Sequence, residues 1–215
     1  MGNFVGSMNR KEQILEKAEL LFAEHGFEGT SIRALAKEAE VNIAMVSYYF
    51  GSKEKLFEAL VEYRAAYLWG KLKALNEQSL NPIQRLEELI KAYVNRFLSQ
   101  TRFHRILYRE ISLNRRQELH QNIADILMRN VTEFRKILSD GIEQGYFREV
   151  DVDLTIVTFI GTITQLITTS SIMHQRMLGQ KLEHDLSENE QLQSRLIDHL
   201  KSLMHNYLIQ PKFNS

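Results

Sequence analysis

Between Thr30 and Lys55 the chain reads TSIRALAKEAEVNIAMVSYYFGSKEK. Asn42, Ile43, Ala44, Met45, Ser47 and Tyr48 fall on one face of a short helix. That face is small or uncharged and carries one phenol, an odd choice for a surface that meets only water. It suits a DNA major groove, where small side chains admit the helix and polar ones reach base edges. Thr30, Ser31, Arg33, Tyr48 and Lys53 sit at helix starts or on the exposed side. There, N–H dipoles, hydroxyls and cations can meet phosphate. The expected division is base contact from Asn42, Ile43, Ala44, Met45 and Ser47, and backbone contact from the other five.

Two short helices and a turn must position these groups. Ser31 or Thr30 can cap the first by accepting from its free N–H groups, and Ile32, Leu35, Ala36 and Ala39 share its inner face. Ala39-Glu40-Val41 forms the turn. Asn42 caps the second helix, whose buried face is expected to be Val41, Val46, Tyr49 and Phe50. A preceding helix over about 9–25 carries Ile14, Leu15, Ala18, Leu21 and Phe22, with Gly26 as its C-cap. Arg10 and Lys11 at its start suit phosphate contact and a solvated helix end equally well. Ser52 caps a long helix over 53–77, striped by Phe57, Val61, Leu68, Leu72 and Leu75 and widened by Leu56, Leu60 and Tyr67. At about 1.5 Å per residue it is long enough to bridge two domains.

The run from Ile14 to Phe57 resembles the N-terminal DNA-binding domain of the TetR/AcrR transcriptional regulators. The residues that carry the resemblance are Ile14-Leu15, Ala18, Leu21-Phe22, His25-Gly26-Phe27, Gly29-Thr30-Ser31, Ile32, Leu35-Ala36, Ala39, Val41, Tyr48-Tyr49-Phe50, Ser52-Lys53 and Leu56-Phe57. The family usually has Gly in the turn where this chain has Glu40. A left-handed conformation there costs a side chain roughly 1 kcal/mol. The resemblance implies a repressor.

Further along, Asn81-Pro82 restarts a helix with Ile83, Leu86, Ile90, Val94 and Phe97 at helical spacing. Shorter and longer helices follow over about 102–114 and 116–144, then a turn at Gly145-Tyr146-Phe147-Arg148. Asp151 or Asp153 opens a helix expected to run to Met177. No charged residue occurs from Leu154 to Met173, yet its nine hydroxyl and amide side chains argue against a membrane span and for burial. Gly179 to Asp185 reads as a loop, and Ser187-Glu188-Asn189-Glu190 as a capping box opening the last helix. Met1 to Ser7 shows no periodicity, is too short and lacks the basic start and apolar run of a signal peptide, and suits a frayed native arm or a cloning remnant equally. The fold class is all-α: a helix-turn-helix domain over 8–52 and a helical effector-binding and dimerisation domain over 53–210.

Other chemistry is thin. The glycines are scattered, no HExxH pair exists, and cysteine is absent, which leaves no thiolate metal site and fits a cytoplasmic protein. His104, His120, His174, His184, His199 and His205 are dispersed. Glu87-Glu88 and Arg109-Glu110 are adjacent on helices, so their side chains point apart. No cofactor, metal or catalytic group is expected, and no enzyme. Aromatic residues mixed with small polar ones point to a small, mostly apolar effector lodged among Tyr67, Tyr93, Phe97, Tyr108, Phe134, Thr162 and Gln165. At helical spacing such residues are more often plain core.

Lysine and arginine total 27, balanced by 27 aspartate and glutamate, so DNA affinity must come from local placement of charge. The expected partners are a palindromic double-stranded DNA operator, a small-molecule effector and a second copy of the chain. The dimer is expected through 153–177 and 187–207, using the face around Phe159, Ile160, Ile163 and Ile167 and the stripe Leu192, Leu196, Leu200 and Leu203. The alternative is a helix-turn-helix unit that has lost DNA binding and serves as a protein-interaction module.

Overall fold

The computed structural model describes residues 10–113, 115–179 and 186–209. Among them are ten helices and no strand. In order these are α1 (Arg10–Gly29), α2 (Ile32–Glu38), α3 (Ile43–Phe50), α4 (Lys53–Glu77) and α5 (Pro82–Ser99). Then come α6 (Thr101–Ser112), α7 (Gln117–Glu143), α8 (Val152–Thr168), α9 (Ser171–Leu178) and α10 (Glu190–Leu208). The Met1–Ser7 arm and most of the expected 179–185 loop lie outside the described residues. The chain forms two compact units, Met1–Arg64 with Arg105–Ala124, and Ala65–His104 with Asp125–Ser215. The first boundary falls inside α4 rather than at its start, and the first unit takes in the end of α6 and the beginning of α7.

In the first unit α1 buries Ile14, Leu15, Ala18 and Phe22. Its helical path breaks at Gly26, whose φ of 76° and ψ of 170° are open to glycine and costly for other residues. The break turns Phe27 inward. Phe22, Phe27 and Phe57 then form a triangle of rings with centroids 5.4–5.6 Å apart. Arg64 on α4 donates to the buried Glu19 on α1 at 2.7 Å.

The second unit is built on a larger apolar cluster. Asn81 and Gln84 form a reciprocal capping box with Pro82 in the first turn, which starts α5 as its sequence requires. Tyr93 lies against Phe97, Phe134 and Phe159 with centroids 5.4–5.8 Å apart. Phe147, in the turn after α7, packs onto Gly141, where any Cβ would sit 2.1 Å from its ring.

Three expectations are corrected here. The helix opened by Asp151 stops at Thr168, and α9 departs from it at 117°. Thr169 is extended and Ser170 caps α9 by accepting from the Met173 N–H; hydroxyl side chains compete for backbone partners and favour such a break. No single helix is long and apolar enough to cross a membrane. Four α8 threonines, Thr155, Thr158, Thr162 and Thr168, each donate to the carbonyl four residues back. Asn189, not Ser187, caps α10 by accepting from the Leu192 N–H at 2.9 Å. Finally, Phe159, Ile163, Ile167, Leu192, Leu196 and Leu200 are buried within their own unit. Of the expected stripe only Leu203 is outward; the other exposed large apolar residues of α8 and α10 are Leu154, Val157 and Tyr207.

Candidate nucleic-acid interface

The turn between α2 and α3 follows from its backbone bonds. The Ser31 hydroxyl caps α2 by accepting from the Ala34 N–H at 3.1 Å. At the other end, the Val41 N–H donates to the Ala36 carbonyl at 2.9 Å and the Glu40 N–H to that of Lys37 at 3.2 Å. This pair of bonds is the Schellman closure, which needs a left-handed residue just past the helix. Glu40 supplies it with φ of 53° and is the one non-glycine with positive φ among the described residues. Asn42 then caps α3 by accepting from the Met45 N–H at 2.7 Å.

α3 buries Val46 and Phe50 against the unit. Asn42, Ile43, Ala44, Ser47 and Tyr48 are exposed, and Met45 is half-buried. Tyr48 is 84% exposed. The expected base-reading face is therefore an outward face, with no charged residue on it. Tyr49, expected inside, is 37% exposed and meets Tyr48 edge-on at 5.5 Å. A phenol that needs a partner for its hydroxyl is poorly suited to that inner position.

The five residues expected at phosphate separate. Ser31, Arg33 and Tyr48 are exposed, but Thr30 is 1% exposed. Its hydroxyl reaches the carbonyls of Gly26 at 2.7 Å and Leu21 at 3.1 Å, so its side chain closes the end of α1. Lys53 is half-buried and donates to the carbonyls of Phe27 at 2.9 Å and Thr30 at 3.1 Å. It lies 4.5 Å from the centroid of Phe27. Two of its three donors are spent on the fold. Arg10, also considered for phosphate, donates to Gln13 at 3.1 Å, and Lys11 lies 5.8 Å from the Phe50 ring.

Sequence reasoning missed the charged groups that hold this unit together. Arg109 donates to the Phe22 carbonyl at 2.6 Å. Arg116 pairs with both Glu28 and Glu110, and its guanidinium lies 4.4 Å from the Phe27 centroid. Glu110 is 3% exposed. Burial pushes its carboxyl above the usual range, opposed by the nearby charges of His120, Arg109, Lys53 and Arg115. Asn122 donates to Glu58 at 2.9 Å, and the Glu58 hydrogen bond raises the Lys55 ammonium above its ordinary value. Nothing local in the sequence shows which distant segments bring these partners together.

The residues expected to share an effector are divided between the two units and, within the second, between core and surface. Tyr93, Phe97 and Phe134 are buried rings of one core. Tyr67, in the same unit, is 64% exposed. Tyr108 belongs to the first unit. Thr162 and Gln165 bond within their own helix or to its cap, Thr162 to Thr158 and Gln165 to Thr169. Periodicity marks a residue as facing inward; it does not distinguish a cavity wall from a filled core.

Residues 14–60 match the family model for bacterial regulatory proteins, tetR family, and residues 79–168 that for the tetracyclin repressor-like C-terminal domain. A Bacillus subtilis (strain 168) protein, probable HTH-type transcriptional regulator YttP, is 34% identical over 64% of this chain and 67% of its own. The chain belongs to the TetR family. Its first unit is accordingly the DNA-binding unit of a transcriptional regulator, a class that is not enzymatic. The Pseudomonas putida HTH-type transcriptional repressor NicS is 32% identical over 67% of this chain and 68% of its own. The crystal structure of the TetR family regulator PfmR from Thermus thermophilus aligns with 88% of this chain and 97% of its own at a TM-score of 0.67 and 25% identity. TetR-family membership explains the uncharged outward face of α3 better than a protein-interaction module does.

Proposed function

We propose that this TetR-family chain is a transcriptional repressor that binds a palindromic operator as a homodimer and is released by a small, mostly apolar effector. The observation that carries the DNA half is α3: it is capped by Asn42, entered through a left-handed Glu40, and presents Asn42, Ile43, Ala44 and Ser47 outward. Base edges fall to these residues and to Met45. Phosphate falls to Ser31, Arg33 and Tyr48, and to the one remaining donor of Lys53.

Two copies are needed because one helix-turn-helix buries too little surface for tight specific binding. Leu154 and Val157 on α8, with Leu203 and Tyr207 on α10, are the exposed apolar residues that suit a twofold contact. An effector among Tyr93, Phe97 and Phe134 must part rings that now touch, so binding and rearrangement are one event. Fluorescence anisotropy with DNA taken from beside the protein's own gene tests the reading. Sequence-specific, salt-sensitive binding by a dimer is expected. Equal affinity for scrambled DNA defeats it.

A further inference from the structure

The second unit carries a concave surface that DNA reading does not use. It is a groove of about 460 Å³ lined from α4, α5 and the start of α10. That is within the roughly 300–1,000 Å³ range of small-molecule sites. Three cations, Lys71, Lys91 and Arg96, enter it against one carboxylate, Glu88. The whole chain has formal net charge +0, so the excess is local. Glu88 accepts from Lys91 at 2.6 Å, which neutralises part of one of the three cations.

A flat ring borders these charges. Tyr67 is an exposed residue of α4, beside the buried Leu68, Leu72 and Leu75 and the half-buried Trp69. The Arg96 guanidinium lies 5.0 Å from the centroid of its ring, which fixes the ring while leaving it open to solvent. Opposite, Gln193 donates to the Asn95 side-chain oxygen at 2.7 Å. This orients the Asn95 amide and leaves its N–H₂ group to donate elsewhere.

We propose that this groove binds a nucleotide-type ligand, with phosphates held by Lys71, Lys91 and Arg96 and the base stacked on Tyr67. A multiply charged group matches three cations, whereas a single carboxylate leaves most of the positive charge unanswered. An aromatic face accepts any base, because stacking does not read hydrogen-bond patterns. Past Lys71 and Glu88 lies a second depression of about 310 Å³, lined by Leu75 and Leu80 but also by the carboxylates Glu87 and Glu88, so the positive part of the face ends there. This site stands apart from the mostly apolar effector proposed above and does not depend on it.

Isothermal titration of the full chain, without DNA and at low salt, tests the proposal with three probes: ADP, inorganic pyrophosphate and adenosine. ADP is expected to bind once per chain, pyrophosphate more weakly, and adenosine more weakly still. Changing both Lys71→Glu and Lys91→Glu should weaken ADP by about tenfold or more. Tyr67→Ala should weaken ADP and leave pyrophosphate unchanged. Lys71 and Tyr67 are exposed and Lys91 is half-buried, so an unchanged melting temperature accompanies a specific loss. Lys37→Glu, an exposed change in the other unit, should leave ADP binding intact. Undetectable ADP binding at millimolar concentration overturns the site, as does an ADP affinity indifferent to the double charge reversal. Pyrophosphate binding as tightly as ADP overturns the stacking role of Tyr67. Because no DNA is present, none of these results bears on operator binding.

Discussion

Around Phe22, Phe27 and Phe57 in the first unit stand Lys53, Arg109 and Arg116, donating to main-chain carbonyls or paired with carboxylates. Around Tyr93 in the second unit stand more rings and aliphatic side chains, with His104 flat on Phe97 at 3.9 Å. A small helical unit cannot enclose enough apolar surface to fix its helices by burial alone. Here it adds charged donors that reach across to helix ends and satisfy carbonyls the helices leave open. The lesson concerns cations in a DNA-binding unit. Some, such as Lys53, hold the reading helices in place and some, such as Arg33, stay exposed, and residue type does not separate them.

The largest effect that tests this contrast is in the second unit. Phe134→Ala should cost about 3–5 kcal/mol, read by denaturant unfolding, because its ring touches Tyr93 and Phe159 and no polar group substitutes for the contact. A cost under about 1 kcal/mol is the outcome of a loosely filled core and ends the comparison.

In the first unit, Lys53→Ala should cost about 1.5–3 kcal/mol, since it removes charge-assisted bonds to the carbonyls of Phe27 and Thr30. Arg33→Ala, on the exposed face, should stay within about 0.5 kcal/mol of the parent. It should instead weaken binding to all DNA sequences alike and lower the salt dependence by about one counterion. If Arg33→Ala unfolds the unit while Lys53→Ala only weakens DNA binding, the assignment of the two cations is reversed.

His104 provides the pH arm. Burial, aided by the charge of Arg96, pushes its pKa from 6.5 down to about 3. Between those values the unfolded chain takes up a proton that the folded chain refuses. Stability contributed by neutral His104 is complete above pH 6.5 and is lost as pH falls towards 3, at up to about 1.4 kcal/mol per pH unit. Glu110 acts in the opposite sense, because its raised pKa favours the folded state when protonated. His104→Phe should flatten the acid limb of a pH–stability curve; an unaltered limb assigns acid sensitivity elsewhere. Glu40→Gly should bring a gain of about 1 kcal/mol from relief of the left-handed side chain, measured by thermal unfolding.

Much of the framework was legible in the sequence. Ser31, Asn42, Asn81 and Asp151 cap where their types and positions require, and Glu40 takes the left-handed turn. Caps act within four residues, so local sequence contains them. The α3 face was legible for the same reason. What escaped was settled at long range or by competition. Thr30 and Ser31 are adjacent hydroxyls, and only packing decides which turns inward. Lys53 could serve phosphate or carbonyl until Phe27 was placed beside it. The break at Thr169 and Ser170 was hidden because apolar periodicity runs through it, while the Ser170 cap interrupts the backbone.

The chain passes between its two units at Arg64–Ala65, His104–Arg105 and Ala124–Asp125. All three crossings lie within helices, in α4, α6 and α7, rather than in linkers. The DNA-binding part is therefore not a detachable module. A fragment ending at residue 64 loses Arg109, Glu110 and Arg116 together, and with them the partners of Phe22 and Glu28. Recombination that swaps one half of such a protein for another must preserve three helical seams, not one. Whatever exchange of halves shaped this chain, the 105–124 segment had to remain compatible with the first sixty residues.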